Sequence, residues 1–483
     1  MDNKLKVFTN LFWRFFERCG AQLVSFIVTI VLARLLEPEL YGLISKVAVI
    51  TSILLVFVDS GMANALIQKK DPDDLDYSSV FYFNTVFCLI LYAALFFASP
   101  LIAKLYHEPG LTPVIRVLGL TVVVAGVKNV QQAYVSKTLQ FKRFFFATLG
   151  GTVFSAILGI SMAYMGFGVW ALVAQQLSNV TVNTVILWLT VGWRPKKMFS
   201  FSRLKGLLSY GWKLLASSLL DTVYLKIYPL VIGVKYSNSD LAFFERGNSM
   251  PNLIVENINY SIDSVLLPVL SAEQDHKIQV RDMTRRAIKT SSYIMMPLMA
   301  GLAACAEPLV RLLLTEKWLP CVPFLQIFCI VFAFYPLHTA NLNAIKAMGR
   351  SDVFLKLEVI KKVVETLVLL VTINYGVFAM ALGQLFSGIL AQVINAWPNR
   401  KLLDYHYTQQ LKDMMPAILL SVFMGLCVAA VTLIPMNDIA TLIIQIPLGI
   451  LIYVGLSVLF KVDSFNYILS IIKNMRSNRK ETA

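Results

Sequence analysis

The sequence predicts an all-α polytopic membrane protein, and three observations carry that expectation. Hydrophobic residues fill 57% of the 483 positions and charged residues only 15%, with a mean hydropathy of +0.68; a soluble chain carries about a quarter charged residues. Apolar blocks long enough to cross a bilayer, about 20 residues each, recur from end to end. Lys and Arg collect in alternate connections between those blocks, as the positive-inside rule requires.

About fourteen spans can be placed by hydropathy and length. They run over 8–34, 41–66, 80–104, 112–135, 144–166, 168–192, 207–233, 241–270, 288–314, 321–345, 354–374, 376–398, 413–434 and 439–460. With the N-terminus inside, about 28 of the 43 Lys and Arg fall in or beside cytoplasmic segments, about 5 in external ones and about 10 within spans. The bias is clearest in RPKKMFSFSRLK at 194–205, in RDMTRRAIK at 281–289 and in the tail after Lys461. Both termini are therefore expected in the cytoplasm. The net charge of +15 would suggest nucleic acid in a soluble protein. Here its placement assigns it to membrane orientation and lipid headgroups, so no nucleic-acid partner is expected.

The first apolar run is interrupted by charges and continues as a span, unlike a cleavable signal. Cys19, Cys88, Cys305, Cys321, Cys329 and Cys427 lie in or beside apolar runs without paired spacing, so neither a disulfide framework nor a metal site is expected. The four histidines are scattered and no glycine-rich phosphate loop is present, so no cofactor is expected and ATP hydrolysis by this chain is disfavoured. The longest connections, near 68–79, 193–206 and 271–287, are too short to fold alone.

An internal repeat organises the chain. Trp13-Arg14 is echoed by Trp212-Lys213; Lys46, Ser52 and Asp59 fall opposite Arg246, Asn252 and Asn259; GVWALVAQQL at 168–177 aligns with GVFAMALGQL at 376–385. The offset is about 200 residues throughout. This predicts two parallel six-helix halves, 1–206 and 207–400, followed by two further helices and a basic tail over 401–483. Transporters built this way bind at the interface of their halves and rock around it.

Polar residues inside spans supply the candidate site. Arg14, Glu17 and Arg18 share one face of the first span by their i, i+3, i+4 spacing. They either snorkel at the entry end or line a polar cavity, and the rest of the chain favours the cavity. The eighth span is polar along one side through Glu245, Ser249, Asn252, Glu256, Asn259 and Asp263, with Glu256 near mid-depth. Lys213 and Asp221 lie on the seventh span, Asp59 at the end of the second, Arg116 and Lys128 on the fourth, and Lys361, Lys362 and Glu365 on the eleventh. The i,i+4 spacing of Lys361 and Glu365 also fits a simple structural pair. Arg14, Arg18 and Lys213, with Asn252 and Asn259, suit an anionic substrate, above all a phosphate. Glu17, Asp59, Asp221, Glu256 and Asp263 are the candidates for lining the cavity or for coupling to H+ or Na+; equally, they neutralise nearby cations.

Several motifs then carry a resemblance: DSGMANALIQKKD at 59–71, LQFKRF at 139–144, GFGVWALV at 166–173 and LLPVLS at 266–271. The chain resembles the polysaccharide transporter family, the Wzx-type flippases of the multidrug/oligosaccharidyl-lipid/polysaccharide exporter superfamily, in the branch that exports colanic and teichuronic acids. The resemblance implies a bacterial cytoplasmic (inner) membrane protein, a transporter and not an enzyme. It further implies that undecaprenyl-diphosphate-linked oligosaccharide units are moved between leaflets by alternating access for surface polysaccharide biosynthesis. Its expected partners are the membrane, the lipid-linked oligosaccharide, a polysaccharide polymerase and chain-length proteins. A cation-coupled drug or metabolite antiporter and a peptidoglycan lipid-precursor flippase of the same superfamily are the rival readings. A membrane polysaccharide polymerase is disfavoured by the bare external loops.

Overall fold

The computed structural model describes residues 20–59 and 61–481. Among these residues every regular element is helical. The chain divides into two compact units, Met1–Ala242 and Phe243–Ala483.

Unit 1 contains α1 (Gly20–Leu35), α2 (Pro38–Asp59), the short α3 (Met62–Gln68), α4 (Asp74–Leu105), α5 (Leu111–Lys137), α6 (Phe141–Tyr164), α7 (Val169–Thr190), α8 (Phe201–Lys235) and the first residues of α9 (Asn238–Ala272). Small residues let these helices approach one another. A Cβ on Gly126 would stand 2.6 Å from the Cys88 sulfur, and one on Gly211 would stand 2.8 Å from the Gly61 carbonyl oxygen. The α6–α7 hairpin is built the same way: Gly151 and Gly159, two turns apart, face Asn179 and Gln175. Between them Ser155 Oγ accepts a hydrogen bond from Asn179 Nδ2 at 3.2 Å. This is the packing of helices in lipid, where close approach and interhelical hydrogen bonds do the work that apolar burial does in water.

At one end of unit 1 the connection from α7 to α8 is held against the start of α4. The Lys196 and Ser200 amides donate to Ser78 Oγ and Ser79 Oγ at 3.0 and 2.9 Å, Gln131 Nε2 donates to the Trp193 carbonyl at 3.1 Å, and Trp193 Nε1 donates to Asp74 Oδ1 at 3.0 Å. Asp73 caps α4 reciprocally with Asp76. Asp76, fully buried, also pairs with Lys69 and lies 3.7 Å from Arg203. Asp76→Ala removes the buried acceptor shared by Lys69 and Arg203, which keep access to water, so it should destabilise the protein by about 1–3 kcal/mol. Thermal denaturation of the purified variant measures it, and a midpoint equal to wild type would show that the pair is dispensable.

Unit 2 contains the rest of α9, α10 (Lys277–Ala304), α11 (Ala306–Leu314), α12 (Val322–Ala333), α13 (Tyr335–Ala347), α14 (Ser351–Thr372), α15 (Val377–Ala396), the single turn α16 (Asn399–Leu402), α17 (Tyr407–Ala430), α18 (Asp438–Leu459) and α19 (Asp463–Glu481). α10 and α11 meet at a 65° bend. A buried amide cluster ties three segments: Asn341 Nδ2 donates to Gln410 Oε1 at 2.8 Å, and Asn399 Nδ2 donates to Asn341 Oδ1 at 2.6 Å.

Among the described residues ten helical segments are long and apolar enough to cross a membrane, or eleven if α10 and α11 form one span. The other three expected spans are helical as well, and each falls short for a visible reason. Only Gly20–Leu35 of the first is described. α7 carries Gln175, Gln176, Ser178 and Asn179, and α14 carries Lys356, Glu358, Lys361, Lys362 and Glu365.

Candidate functional site

A cavity of about 340 Å³ opens in unit 1 among α2, α3, α5 and α7. Its polar lining is Asn64 from α3 and Thr121, Lys128, Asn129, Gln132 and Ser136 from α5, set among Leu55, Ile67 and Val180. Steps of seven, four and four from Thr121 keep Lys128, Gln132 and Ser136 on one helical face. α5 is held in place by packing on α4, with Asn84 Nδ2 donating to the Gly126 carbonyl at 3.3 Å. One ammonium among amides and hydroxyls, within an apolar frame, suits an anionic or hydroxyl-rich ligand. The volume admits a headgroup-sized polar moiety. In the sequence Lys128 stands out as a charge within a span, whereas the uncharged Gln132 and Ser136 on the same face do not.

Arg116, the other cation of the fourth span, is engaged elsewhere: its Nε donates to Ser99 Oγ at 3.0 Å, and its guanidinium lies over the Phe96 ring at 4.1 Å. Arg14, Glu17 and Arg18 lie outside the described residues. Asp59 is the last residue of α2. Lys213 and Asp221 are both exposed on α8.

In unit 2 the polar side of α9 is partly self-satisfied, since Asn252 Nδ2 donates to Glu256 Oε1 at 2.8 Å along the same helix. Asp263 Oδ1 accepts from Asn343 Nδ2 at 2.6 Å, and the Asn259 amide is buried with no hydrogen-bond partner among the described residues. Lys361 pairs at 2.6 Å with Glu358, a turn earlier on α14, and not with the Glu365 that the i,i+4 spacing suggests. His338 Nδ1 and Asn395 Nδ2 are 2.8 Å apart. Among the described residues no cluster of three or more His, Cys, Asp or Glu could hold a metal ion.

Long apolar helices with a lysine-bearing polar cavity among them define a class: a multi-span membrane transporter. Comparison with known proteins makes this specific. A family model described as polysaccharide biosynthesis protein matches residues 31–323, and the chain belongs to that family. A second model, lipid II flippase MurJ, matches residues 241–452.

Among curated relatives, the lipopolysaccharide biosynthesis protein WzxC of Escherichia coli is 25% identical over 372 residues, covering 76% of this chain and 74% of that one. The succinoglycan biosynthesis transport protein ExoT of Rhizobium meliloti is 22% identical over 75% of this chain and 74% of its own. The teichuronic acid biosynthesis protein TuaB of Bacillus subtilis is 25% identical over 62% of each. In fold, the chain is similar to lipid II flippase MurJ in an inward closed conformation, with a TM-score of 0.75 at 16% identity, covering 94% of this chain and 99% of that one. It is also similar to a multidrug resistance MATE transporter in an inward-facing conformation, with a TM-score of 0.62 at 15% identity, over 80% of this chain and 94% of that one. The resemblance read from the motifs and the expected fold class are both borne out.

Proposed function

We propose that this chain is a flippase that carries undecaprenyl-diphosphate-linked oligosaccharide units across the bacterial cytoplasmic membrane by alternating access. The observation that carries this reading is the family match over residues 31–323. The polar cavity around Lys128 agrees with it, because a diphosphate leaving the headgroup region needs cationic compensation for lost hydration. Arg14, Arg18 and Lys213 are assigned the same duty on the first and seventh spans, and Glu256 and Asp221 are assigned coupling to H+ or Na+. The test is rescue of surface polysaccharide export in a strain lacking its own polysaccharide-unit flippase. Wild type should restore export, and the triple Gln variant of Arg14, Arg18 and Lys213 should not; Glu256→Gln should restore it poorly. No rescue by wild-type protein at normal membrane abundance would overturn the function. Full rescue by either variant would overturn the role assigned to its residues.

The fourteen spans, the two parallel halves, the cytoplasmic termini and association with a polymerase and chain-length proteins belong to the same proposal. Two pairs of repeat-related positions support the halves. Lys46 stands over the Tyr106 ring at 5.3 Å, and its counterpart Arg246 over the Trp318 ring at 5.0 Å. Gly168 and Gly376, which open the matched helices α7 and α15, both take positive φ, at 56° and 99°. The Lys and Arg distribution supports the orientation. Single cysteines at Ser200 and Asp282 should react with impermeant thiol reagents only after the membrane is breached; labelling in intact cells would invert the topology.

A further inference from the structure

α19 starts against the polar turns of α10. Ser464 Oγ donates to the Lys289 carbonyl at 3.4 Å, and the Arg286 guanidinium lies over the Tyr467 ring at 5.1 Å. Between the two helices is an open cleft of about 450 Å³, lined by Arg285, Arg286, Lys289, Ser464 and Tyr467 with Asp282, Thr290 and Asp463. The carboxylates around it are largely committed. Asp413 of α17, with its side chain 5% exposed, receives two hydrogen bonds from Arg285 at 2.6 and 2.7 Å, a third from the Tyr405 hydroxyl at 2.7 Å, and Lys289 at 3.4 Å. Asp282 pairs with Arg281 at 3.2 Å. Arg281, Arg285, Arg286 and Lys289 thus face Asp282, Asp413 and Asp463, leaving an excess of positive charge. Among the described residues Arg286 has no carboxylate partner; only the Tyr467 face holds it.

α19 itself is two-sided. Phe465, Ile468 and Leu469 share one face by helical spacing, and Asn466, Ser470, Lys473 and Asn474 share the other. A basic helix with an apolar stripe is the pattern of one lying in the membrane interface, and α19 follows the apolar α18 after only three residues.

We propose that the α10–α19 cleft binds the phosphate of an anionic phospholipid in the leaflet against which α19 lies, with Arg286 and Lys289 on the phosphate oxygens and the Ser464 and Thr290 hydroxyls beside them. The occupant is a lipid because the cleft opens beside an interfacial helix whose apolar stripe would continue along acyl chains. The site is separate from the transport cavity and stands whether or not the chain moves lipid-linked sugar.

The test uses the full-length purified protein in detergent, titrated with phosphatidylglycerol, phosphatidylcholine or inorganic phosphate, with the thermal midpoint as readout and no export assay. Phosphatidylglycerol should raise the wild-type midpoint and phosphatidylcholine should not. The R286Q/K289Q double variant should need about twenty-five-fold more phosphatidylglycerol for the same shift, at about fivefold per removed charge. Asp463→Asn, which removes a carboxylate from the rim, should need less than wild type, an outcome that misfolding cannot imitate. Equal titrations for wild type and both variants would overturn the site. A shift produced by inorganic phosphate alone, at the same phosphate concentration, would overturn the assignment to lipid.

Discussion

Gly42→Ala is expected to lower both the thermal midpoint and the membrane abundance of the protein. A Cβ at this position of α2 would fall inside the van der Waals shell of the Asn238 carbonyl oxygen and stand 2.7 Å from the Asn238 Cα. The atoms in its way are backbone, so no rotamer change can relieve the clash. Relief requires α2 to move away from the α8–α9 junction, and α2 packs along α8, with Gly61 just beyond the end of α2 still meeting Gly211. Overpacking a close helix contact costs about 1–3 kcal/mol, more where backbone must shift, against a total of about 5–15 kcal/mol. Gly206→Ala is the matched control. That glycine lies within α8 with nothing within 4 Å of the added carbon, so the change should be neutral or stabilise by about 1 kcal/mol through helix propensity. Membrane abundance and thermal midpoint of the two variants decide. Equal values would mean that α2 and the start of α9 do not approach this closely in the membrane.

Lys128→Gln should reduce polysaccharide export at least tenfold while leaving the protein in the membrane. An anion engaged by one half-buried ammonium loses about 2–5 kcal/mol when that partner is removed and the anion stays desolvated. Lys128→Arg keeps the charge and should retain most of the export. Arg116→Gln provides the contrast: its guanidinium serves Ser99 and Phe96, so the expected loss is in abundance and not in export per molecule. Export measured against membrane protein level separates these outcomes. Normal export by the Lys128→Gln protein would move the anion site out of this cavity.

The helices were legible because each is a long apolar block bounded by charge or glycine, and a bilayer demands little more of a span than length and apolarity. The candidate site was legible only in part. Charge draws attention in an apolar span, so Lys128 and Arg116 both stood out, yet which of them faces a cavity depends on rotation about the helix axis and on Phe96 and Ser99 a helix away. The stripe through Gln132 and Ser136 is uncharged and raised no signal. The pairing of Lys361 with Glu358 instead of Glu365 likewise turns on a choice between two carboxylates on adjacent turns, which spacing alone leaves open. The cleft between α10 and α19 joins residues about 180 positions apart, and only tertiary packing brings such a pair together.

The α6–α7 hairpin has a consequence for how the chain is made. α7 carries Asn179, whose amide donates to Ser155 Oγ of α6 at 3.2 Å, and Gln175, whose side chain packs at Gly159 of α6, and only the four residues Met165–Gly168 separate the two helices. Emerging alone from the translocon, α7 would meet lipid with Gln175 and Asn179 bare, and its partition into the bilayer would be weak. α6 is apolar enough to enter unaided and presents Ser155, flanked by Gly151 and Gly159, as the seat for those side chains. Insertion of α7 is therefore expected to depend on α6, and a reporter fused after α7 should report less insertion when α6 is deleted than when it is present. A bulky substitution at Gly151 or Gly159 would then be felt first as a missed insertion, before any folded transporter exists to be destabilised.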